Sequence, residues 1–234
     1  MKVEWNVDPV VNKTLWERLS LLPRELIGKT DPKIVLDLGG GTGDFASPLK
    51  TDSTTVITLD TDQNVLKNRI EGVQAVLGDA TNLPFKDSSI DAVTARAILH
   101  HFPESMDGCL AEVDRVLKNG GLFLAQEPLA NNCFANMARR YFSTERHKTG
   151  ERPLHSDFLE RSVEERFDLQ WQEHHFLLSY LYPHIVFRLP EALKGLGRLE
   201  GRIMHGLDEK ALRTMPKLRK YAAYMTILGS KRTG

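Results

Sequence analysis

The chain has 234 residues, with 31 Lys and Arg against 31 Asp and Glu, 41% hydrophobic residues and two cysteines. This length and composition predict one globular domain with a sizeable core and exclude a disordered chain. A formal net charge of zero predicts no global attraction to nucleic acid or to an anionic membrane. Cys109 and Cys133 form no CxxC pair, so neither a zinc site nor a disulfide framework is expected. The start of the chain lacks a long apolar run, which favours a cytoplasmic location.

The first predicted element is a helix at Pro9–Leu22, where apolar residues recur at helical spacing and Pro23 follows the predicted end. After it, short apolar runs alternate with helix-like segments, which is typical of βαβ units. Strands are predicted at Lys33–Leu38, Val56–Leu59, Val73–Leu77, Ile90–Ala95 and Leu122–Gln126, and helices at Gly43–Leu49, Gln63–Arg69 and Ser105–Leu117. The expected fold is therefore α/β: a Rossmann-like, doubly wound, mostly parallel sheet of about seven strands with helical decorations.

The remainder of the chain is predicted to decorate this sheet. A helix is expected at Ser156–Glu165, a sixth strand at Leu169–Leu178 and a last strand at Tyr221–Leu228, while Arg139–Glu151 is polar and basic. Six apolar residues recur on one helical face, although nearby glycines weaken that helix by about 1 kcal/mol each: Leu189, Leu193, Leu196, Ile203, Met204 and Leu207, with Gly195, Gly197 and Gly201. We expect a single domain over 1–234, with an N-terminal helix (1–29), a binding core (30–130), substrate-side decorations (131–220) and a last strand and tail (221–234).

The segment VLDLGGGTGDF, residues 35–45, carries the strongest chemical signal. Glycines between a strand and a helix remove Cβ atoms and permit positive φ, so the main chain can lie against a ligand at the carboxyl end of the sheet. A dinucleotide fingerprint would place a third glycine where Asp44 stands. Because a carboxylate there would repel a pyrophosphate, NAD and FAD are disfavoured.

Two carboxylates after the next strands indicate a nucleoside. Asp60 ends the second strand, where a carboxylate can accept both hydroxyls of a ribose. Asp79 and Ala80 follow the third strand, where a carboxylate can accept a hydrogen bond from the adenine amino group and a backbone N–H can donate one to the ring. Together with the glycine turn, these residues favour adenosine without phosphate.

Five segments resemble the class I S-adenosylmethionine-dependent methyltransferases, in particular their broad small-molecule group: VLDLGGGTG, LDTD, GDATNLPFKDSSIDAV, LHHF and LKNGGLFLAQEP. The resemblance covers roughly residues 33–127. It implies S-adenosylmethionine as cofactor and S-adenosylhomocysteine as product. It further implies these roles: Asp37 for the methionine amino group, Gly39, Gly41 and Gly43 for the pocket, Asp60 with Thr61 for the ribose, and Asp79 with Ala80 for adenine. Gly40 stands where many members have Cys, which is expected to loosen the turn.

Methyl transfer depends mainly on positioning, so a catalytic base is optional. If the acceptor is a hydroxyl, His100 or His101 could take its proton, since both follow the fourth strand; a packing or hydrogen-bonding role is the alternative. Arg96 is a candidate contact to cofactor or substrate, or a salt-bridge residue. No metal is predicted, because His100-His101 and His174-His175 are neighbours whose side chains would diverge on a strand.

The acceptor is predicted to be a small, apolar or aromatic molecule methylated at oxygen or carbon. Where amino-methylating nucleobase enzymes carry an Asn/Asp-Pro-Pro-aromatic segment, this chain reads Ala95-Arg96-Ala97-Ile98, so a nucleic-acid partner is not favoured. Residues 176–220 begin apolar and aromatic, and Arg188–Lys220 holds nine Lys or Arg against four Asp or Glu. This stretch could contact a hydrophobic substrate or a membrane surface, or instead pack its apolar face on the domain.

Two other functions stay open from the sequence. One is a non-catalytic protein that keeps the adenosyl pocket as a sensor or for a partner. The other, weaker one is an RNA methyltransferase, which rests on the basic C-terminal third. No stretch reaches the length and apolarity of a transmembrane segment, and nothing in the sequence predicts the oligomeric state.

Overall fold

The computed structural model describes residues 8–142 and 153–233, and its strands form a seven-stranded sheet in the order β3-β2-β1-β4-β5-β7-β6. The pairs β1–β2, β1–β4, β2–β3 and β4–β5 are parallel. This architecture confirms the predicted Rossmann-like α/β fold. The strands are β1 (Ile34–Leu38), β2 (Thr55–Asp60), β3 (Gln74–Leu77), β4 (Ile90–Arg96), β5 (Leu117–Pro128), β6 (Phe167–His175) and β7 (Tyr224–Lys231).

Seven α-helices occur in the described part of the chain: α1 (Pro9–Leu26), α2 (Gln63–Leu66), α3 (Met106–Val116), α4 (Cys133–Phe142), α5 (Ser156–Glu164), α6 (Tyr182–Arg188) and α7 (Glu191–Thr214). Short 3₁₀ helices at Ser47–Leu49 and Leu99–His101 follow β1 and β4. The sequence did not predict α4, and residues 143–152 of the basic stretch lie outside the described residues.

Two helix predictions were wrong. We predicted that α1 ends before Pro23, but the helix continues to Leu26, and the Pro23 carbonyl accepts the N–H of Ile27 at 2.8 Å. We also predicted a helix over Gly43–Leu49, where the chain forms turns and then the 3₁₀ helix. Glycine at 43 and proline at 48 are both poor in helix interiors, which explains the shorter element.

The chain divides into two compact units, which are described separately. The sheet unit comprises the described residues of Ser20–Glu127, Asp157–Glu173 and Thr226–Gly234, and the helical unit those of Met1–Leu19, Pro128–Ser156 and His174–Met225. The single-domain assignment stays a prediction.

Each unit buries its own apolar cluster. In the sheet unit, Val35, Val56, Ala92 and Leu124 come from four neighbouring strands and share one core cluster with Phe45. In the helical unit, the rings of Trp16, Phe176, Tyr180 and Tyr224 pack at centroid distances from 4.9 to 6.3 Å. The sheet-unit core holds the central strands in register and so fixes the positions of the residues that follow them.

Candidate ligand-binding site

The carboxyl ends of β1, β2 and β3 meet at one edge of the sheet. Leu38 pairs with Leu59, and Asp60 pairs with Leu77 in the parallel register. Beyond the strands, the Gly40 N–H donates to the carbonyl of Leu59 at 3.2 Å, and the Gly78 N–H donates to that of Asp60 at 3.1 Å. The register therefore brings together the residues predicted to bind the ligand: Asp37, Gly39, Gly41, Gly43, Asp60, Thr61, Asp79 and Ala80.

The turn after β1 requires glycine, because a side chain at these positions would be strained or would clash. Gly39 and Gly41 have φ of +58° and +56°, in the left-handed region that L side chains rarely adopt. Gly40 is required for a different reason, because a Cβ there would collide with the carboxyl group of Asp37. The turn is closed by a 2.8 Å hydrogen bond from the Gly43 N–H to the Gly40 carbonyl. Gly40 thus makes room for Asp37, and the expected loosening of the turn stays a prediction.

Asp37 is a fully buried carboxyl group beneath this turn. Its Oδ1 accepts a 2.8 Å hydrogen bond from the Thr94 hydroxyl, whereas Oδ2 has no hydrogen-bond partner within residues 8–142 and 153–233. Burial raises the pKa of Asp37 to about 6, although the Thr94 hydrogen bond and the Arg96 charge oppose that shift. A buried acceptor without a donor is costly, and an ammonium group would supply both the donor and the opposite charge. The residues therefore fit a ligand with an amino group.

The two carboxylates at the ends of β2 and β3 are held in place by the backbone. Asp60 accepts the Gly41 N–H at 3.1 Å on Oδ2 and the Asp62 N–H at 2.9 Å on Oδ1. Oδ1 of Asp79 accepts hydrogen bonds from both the N–H and the hydroxyl of Thr81, each at 2.8 Å. These hydrogen bonds hold the pKa of Asp79 below its usual value. Since a carboxylate offers about four lone pairs, each group retains acceptor sites for a ligand hydroxyl or amino group.

The Arg96 side chain, also predicted to bind the cofactor, contacts an aromatic ring. Its guanidinium carbon lies 4.9 Å from the centroid of Phe45, a residue of the segment after the glycine turn. Its charge also acts on buried Asp37. A direct contact between Arg96 and the ligand stays a prediction.

The structure separates the two histidines that the sequence could not distinguish. His100 is buried, and its Nδ1 lies 2.8 Å from Oε2 of Glu127. Its neighbour His101 is exposed, with the two ring centroids 4.3 Å apart. The surroundings therefore favour a positioning role for His100 and leave His101 as the candidate base.

Sequence reasoning missed Glu127, which is fully buried at the end of β5. Its Oε1 accepts the N–H groups of Ile98 and Leu99 at 2.8 and 2.9 Å, so one carboxylate organises the turn after β4. An acidic residue at the end of an apolar strand, in the segment LFLAQEP, was the available signal.

Within residues 8–142 and 153–233, no three His, Cys, Asp or Glu side chains are grouped so that they could hold a metal ion. In the same residues, no helix combines the length and apolarity that crossing a bilayer requires. The predictions that the protein uses no metal and is cytoplasmic stay predictions.

Comparison with known proteins shows which family this part of the chain resembles. Residues 36–125 match the family described as "Methyltransferase domain". Residues 36–125 are thus similar to class I S-adenosylmethionine-dependent methyltransferase domains. This confirms the resemblance seen in the sequence, and the matched residues include Asp37, the glycine turn, Asp60, Asp79 and Arg96.

Curated relatives match part of this chain. Demethylmenaquinone methyltransferase of Beutenbergia cavernae is 35% identical over 116 residues, which is 48% of this chain and 47% of that protein. Ubiquinone/menaquinone biosynthesis C-methyltransferase UbiE of Acidiphilium cryptum is 35% identical over 120 residues, 46% of this chain and 48% of that protein. The chain thus spans about half the length of these relatives.

Among solved structures, the 4+2 cyclase SpnF is similar with a TM-score of 0.63 and 23% identity, covering 93% of this chain and 81% of that one. At this identity the likeness establishes the fold and not the activity.

Proposed function

We propose that this methyltransferase domain binds S-adenosylmethionine and directs its methyl group to a carbon or oxygen atom of a small, apolar or aromatic acceptor. The observation that carries the proposal is the buried Oδ2 of Asp37, which faces the side-chain-free Gly40 and has no donor among the described residues. When bound, S-adenosylmethionine supplies an electrophilic methyl group on a sulfonium.

Each predicted site residue then has a defined task. Asp37 holds the methionine amino group, and the backbone of Gly39, Gly41 and Gly43 lies against the ligand. Asp60, with Thr61, accepts hydrogen bonds from the ribose hydroxyls. Asp79, with Ala80, forms hydrogen bonds with adenine. The backbone donors that fix Asp60 and Asp79 support these roles, because a carboxylate already oriented loses little freedom on binding.

The protein's contribution to the reaction is positioning. Two reactants held about 3–3.5 Å apart in line need no metal for this positioning. Methylation at a ring carbon also releases one proton from the acceptor, which solvent or a nearby base takes up as the new carbon–carbon bond forms and the carbon–sulfur bond breaks. If the acceptor is a hydroxyl, we assign its proton to His101. His100 then acts through its hydrogen bond to Glu127 and keeps the turn after β4 in shape.

The acceptor class is supported by the relatives. Their names describe methylation of demethylmenaquinone and a C-methyltransferase of ubiquinone and menaquinone biosynthesis. A hydroxylated aromatic ring of the quinol type is therefore the first acceptor to assay.

Titration calorimetry with S-adenosylmethionine and S-adenosylhomocysteine tests the pocket. We expect both to bind the wild-type chain and Asp60→Ala to weaken binding by about tenfold or more, as loss of hydrogen bonds to a charged group predicts. Asp52→Ala, at an exposed carboxylate, is the matched control and should bind as wild type. Absence of binding to the wild type would overturn the proposal.

Transfer of a labelled methyl group to quinol-type aromatics and to a metabolite extract then tests turnover. Label in an organic-soluble product supports the proposed acceptor class. Tight cofactor binding without any label transfer would favour the non-catalytic sensor, and label in RNA would favour the RNA methyltransferase.

A further inference from the structure

Helix α7, in the helical unit, exposes its large apolar side chains. Spacings of three and four residues place five of them on one side, which we call the α7 face: Leu193, Leu196, Leu199, Ile203 and Leu207. Their exposed fractions lie between 49% and 58%. Four of them belong to the six apolar residues that the sequence placed on one helical face, whereas the other two, Leu189 and Met204, are only partly exposed. The five exposed apolar residues share this side of the helix with exposed Glu200, and together they form the kind of apolar patch that marks an interaction surface.

The opposite side of α7 is shaped for burial and prevents the helix from turning. A Cβ at Gly197 would lie 2.7 Å from a methyl carbon of Leu189, and one at Gly201 would lie 3.1 Å from a methyl carbon of Val11. Two of the three glycines that were expected to weaken the helix, Gly197 and Gly201, are therefore residues through which it packs, whereas a Cβ at Gly195 would meet no atom within 4 Å. Rotation that buried the leucines would force the glycines outward.

Asp208, on the same inner side of α7, also fixes the orientation of the helix through hydrogen bonds. It is buried, and its Oδ2 accepts the N–H groups of Leu177 and Ser179 at 2.7 and 2.8 Å. Rotation of α7 would leave both N–H groups without an acceptor. The outward direction of the α7 face is thus built into the helical unit.

The C-terminal end of α7 and the residues after it are strongly basic. No Asp or Glu occurs from Lys210 to the end of the printed sequence. We call residues 210–221 the basic segment; its exposed basic residues are Lys210, Arg213, Lys217, Arg219 and Lys220. Met215 and Tyr221, exposed by 56% and 47%, lie between and beside these charges.

We propose that the α7 face and the basic segment form a docking site for an anionic phospholipid bilayer, with α7 lying in the plane of the interface. Exposed leucines next to Lys and Arg are typical of interfacial helices, which insert the apolar side and attract acidic headgroups with the charges. The basic segment supplies the charge complementarity that selects an anionic bilayer as the occupant. The proposal is independent of the proposed function, because it concerns the surface of the helical unit and not the ligand-binding site.

Sedimentation of the full chain with vesicles tests the docking site. One vesicle preparation contains equal parts of phosphatidylglycerol and phosphatidylcholine, and the other contains phosphatidylcholine alone. We expect binding to the anionic vesicles at low salt, and weakening by about tenfold or more in high salt or on neutral vesicles.

Two double variants separate the contributions of the two regions. Leu196→Gln with Ile203→Gln changes the α7 face, and Lys217→Gln with Lys220→Gln changes the basic segment; each should lower vesicle affinity by about tenfold. The matched controls are Phe158→Gln, an exposed apolar residue of α5, and Lys29→Gln with Lys86→Gln, two exposed lysines of the sheet unit. Circular dichroism shows whether the variants are folded.

The proposal is overturned if the wild type does not sediment with anionic vesicles, or if the α7-face variant binds them as well as Phe158→Gln does. A self-associated wild type that the α7-face variant makes monomeric, without vesicle binding, would assign the surface to a second copy of the chain.

Discussion

The carboxylate of Glu127, at the end of β5, lies 2.8 Å from Nδ1 of His100 in the turn that follows β4. The same side chain accepts the backbone N–H groups of Ile98 and Leu99. One buried carboxylate thereby connects the ends of two neighbouring strands and holds the turn that carries both histidines.

We predict that Glu127→Ala lowers the free energy of unfolding by about 2–4 kcal/mol, because two buried donors and one partly buried donor lose their acceptor. Glu127→Gln keeps an acceptor oxygen and should recover most of the stability. Urea unfolding measures both, with exposed Glu104→Ala as the control. Equal losses in the Ala and Gln variants would contradict this account.

Cofactor binding should depend on pH through Asp37. Its pKa of about 6 in the free protein means that the group is protonated below pH 6, whereas a bound ammonium requires the carboxylate. Affinity for S-adenosylmethionine should therefore be highest above pH 6 and fall by up to tenfold per pH unit below it. Calorimetry between about pH 5 and 7 measures the slope, and Asp37→Asn, which cannot titrate, should bind weakly and without that slope.

Gly40→Ala should weaken cofactor binding and lower stability by about 1–3 kcal/mol, because the new methyl group collides with the Asp37 carboxyl. Gly108, on α3, is the matched control, since a Cβ there meets no atom within 4 Å. Gly108→Ala should be neutral or stabilising by up to about 1 kcal/mol. Thermal unfolding and calorimetry of the two variants compare the effects; a neutral Gly40→Ala would contradict the steric argument.

His101→Ala should reduce single-turnover methyl transfer to a hydroxyl acceptor by about tenfold or more if its ring takes the proton. Transfer to a carbon acceptor should change less. The affinity for S-adenosylhomocysteine serves as the control and should stay constant. An unchanged single-turnover rate with the hydroxyl acceptor would remove His101 from the mechanism.

The helical unit should lose stability in mild acid through two histidines. Burial lowers the pKa of His175 to about 3 and that of His174 to about 4, with nearby cations, among them Arg18 and Arg219, adding to the shifts. Both pKa values lie below that of an unfolded histidine, near 6.5. The contribution of the two neutral histidines to the free energy of unfolding is therefore fully present above about pH 6.5. It is lost as the pH falls from there towards 4 for His174 and 3 for His175, by roughly 1.4 kcal/mol per pH unit for each histidine.

Urea unfolding at about pH 7 and pH 5 measures this loss. His175→Gln should reduce the difference between the two pH values, and exposed His155→Gln should leave it unchanged. The same pH difference in wild type and His175→Gln would show that His175 does not contribute.

Much of the site was predictable because its signals are local. The strand before Gly39 and the carboxylates after the next two strands lie in short segments with one plausible geometry, and parallel pairing brings such ends together. Gly43–Leu49 was mispredicted as a helix because its low helix propensity at Gly43 and Pro48 was given too little weight. The end of α1 was mispredicted because Pro23 was interpreted as a stop, although the helix continues to Leu26.

Local signals in short segments were sufficient to predict the parallel sheet, the glycine turn and the carboxylates Asp37, Asp60 and Asp79 at the strand ends. The fold was needed to show that His100 is buried against Glu127, that Gly40 makes room for a carboxylate, and that α7 packs through Gly197 and Gly201. The His100–Glu127 and Gly201–Val11 contacts join distant segments, and the Gly40–Asp37 contact depends on how the turn folds over the carboxyl group. In each case steric fit or the need to pair a buried polar group outweighs local propensity.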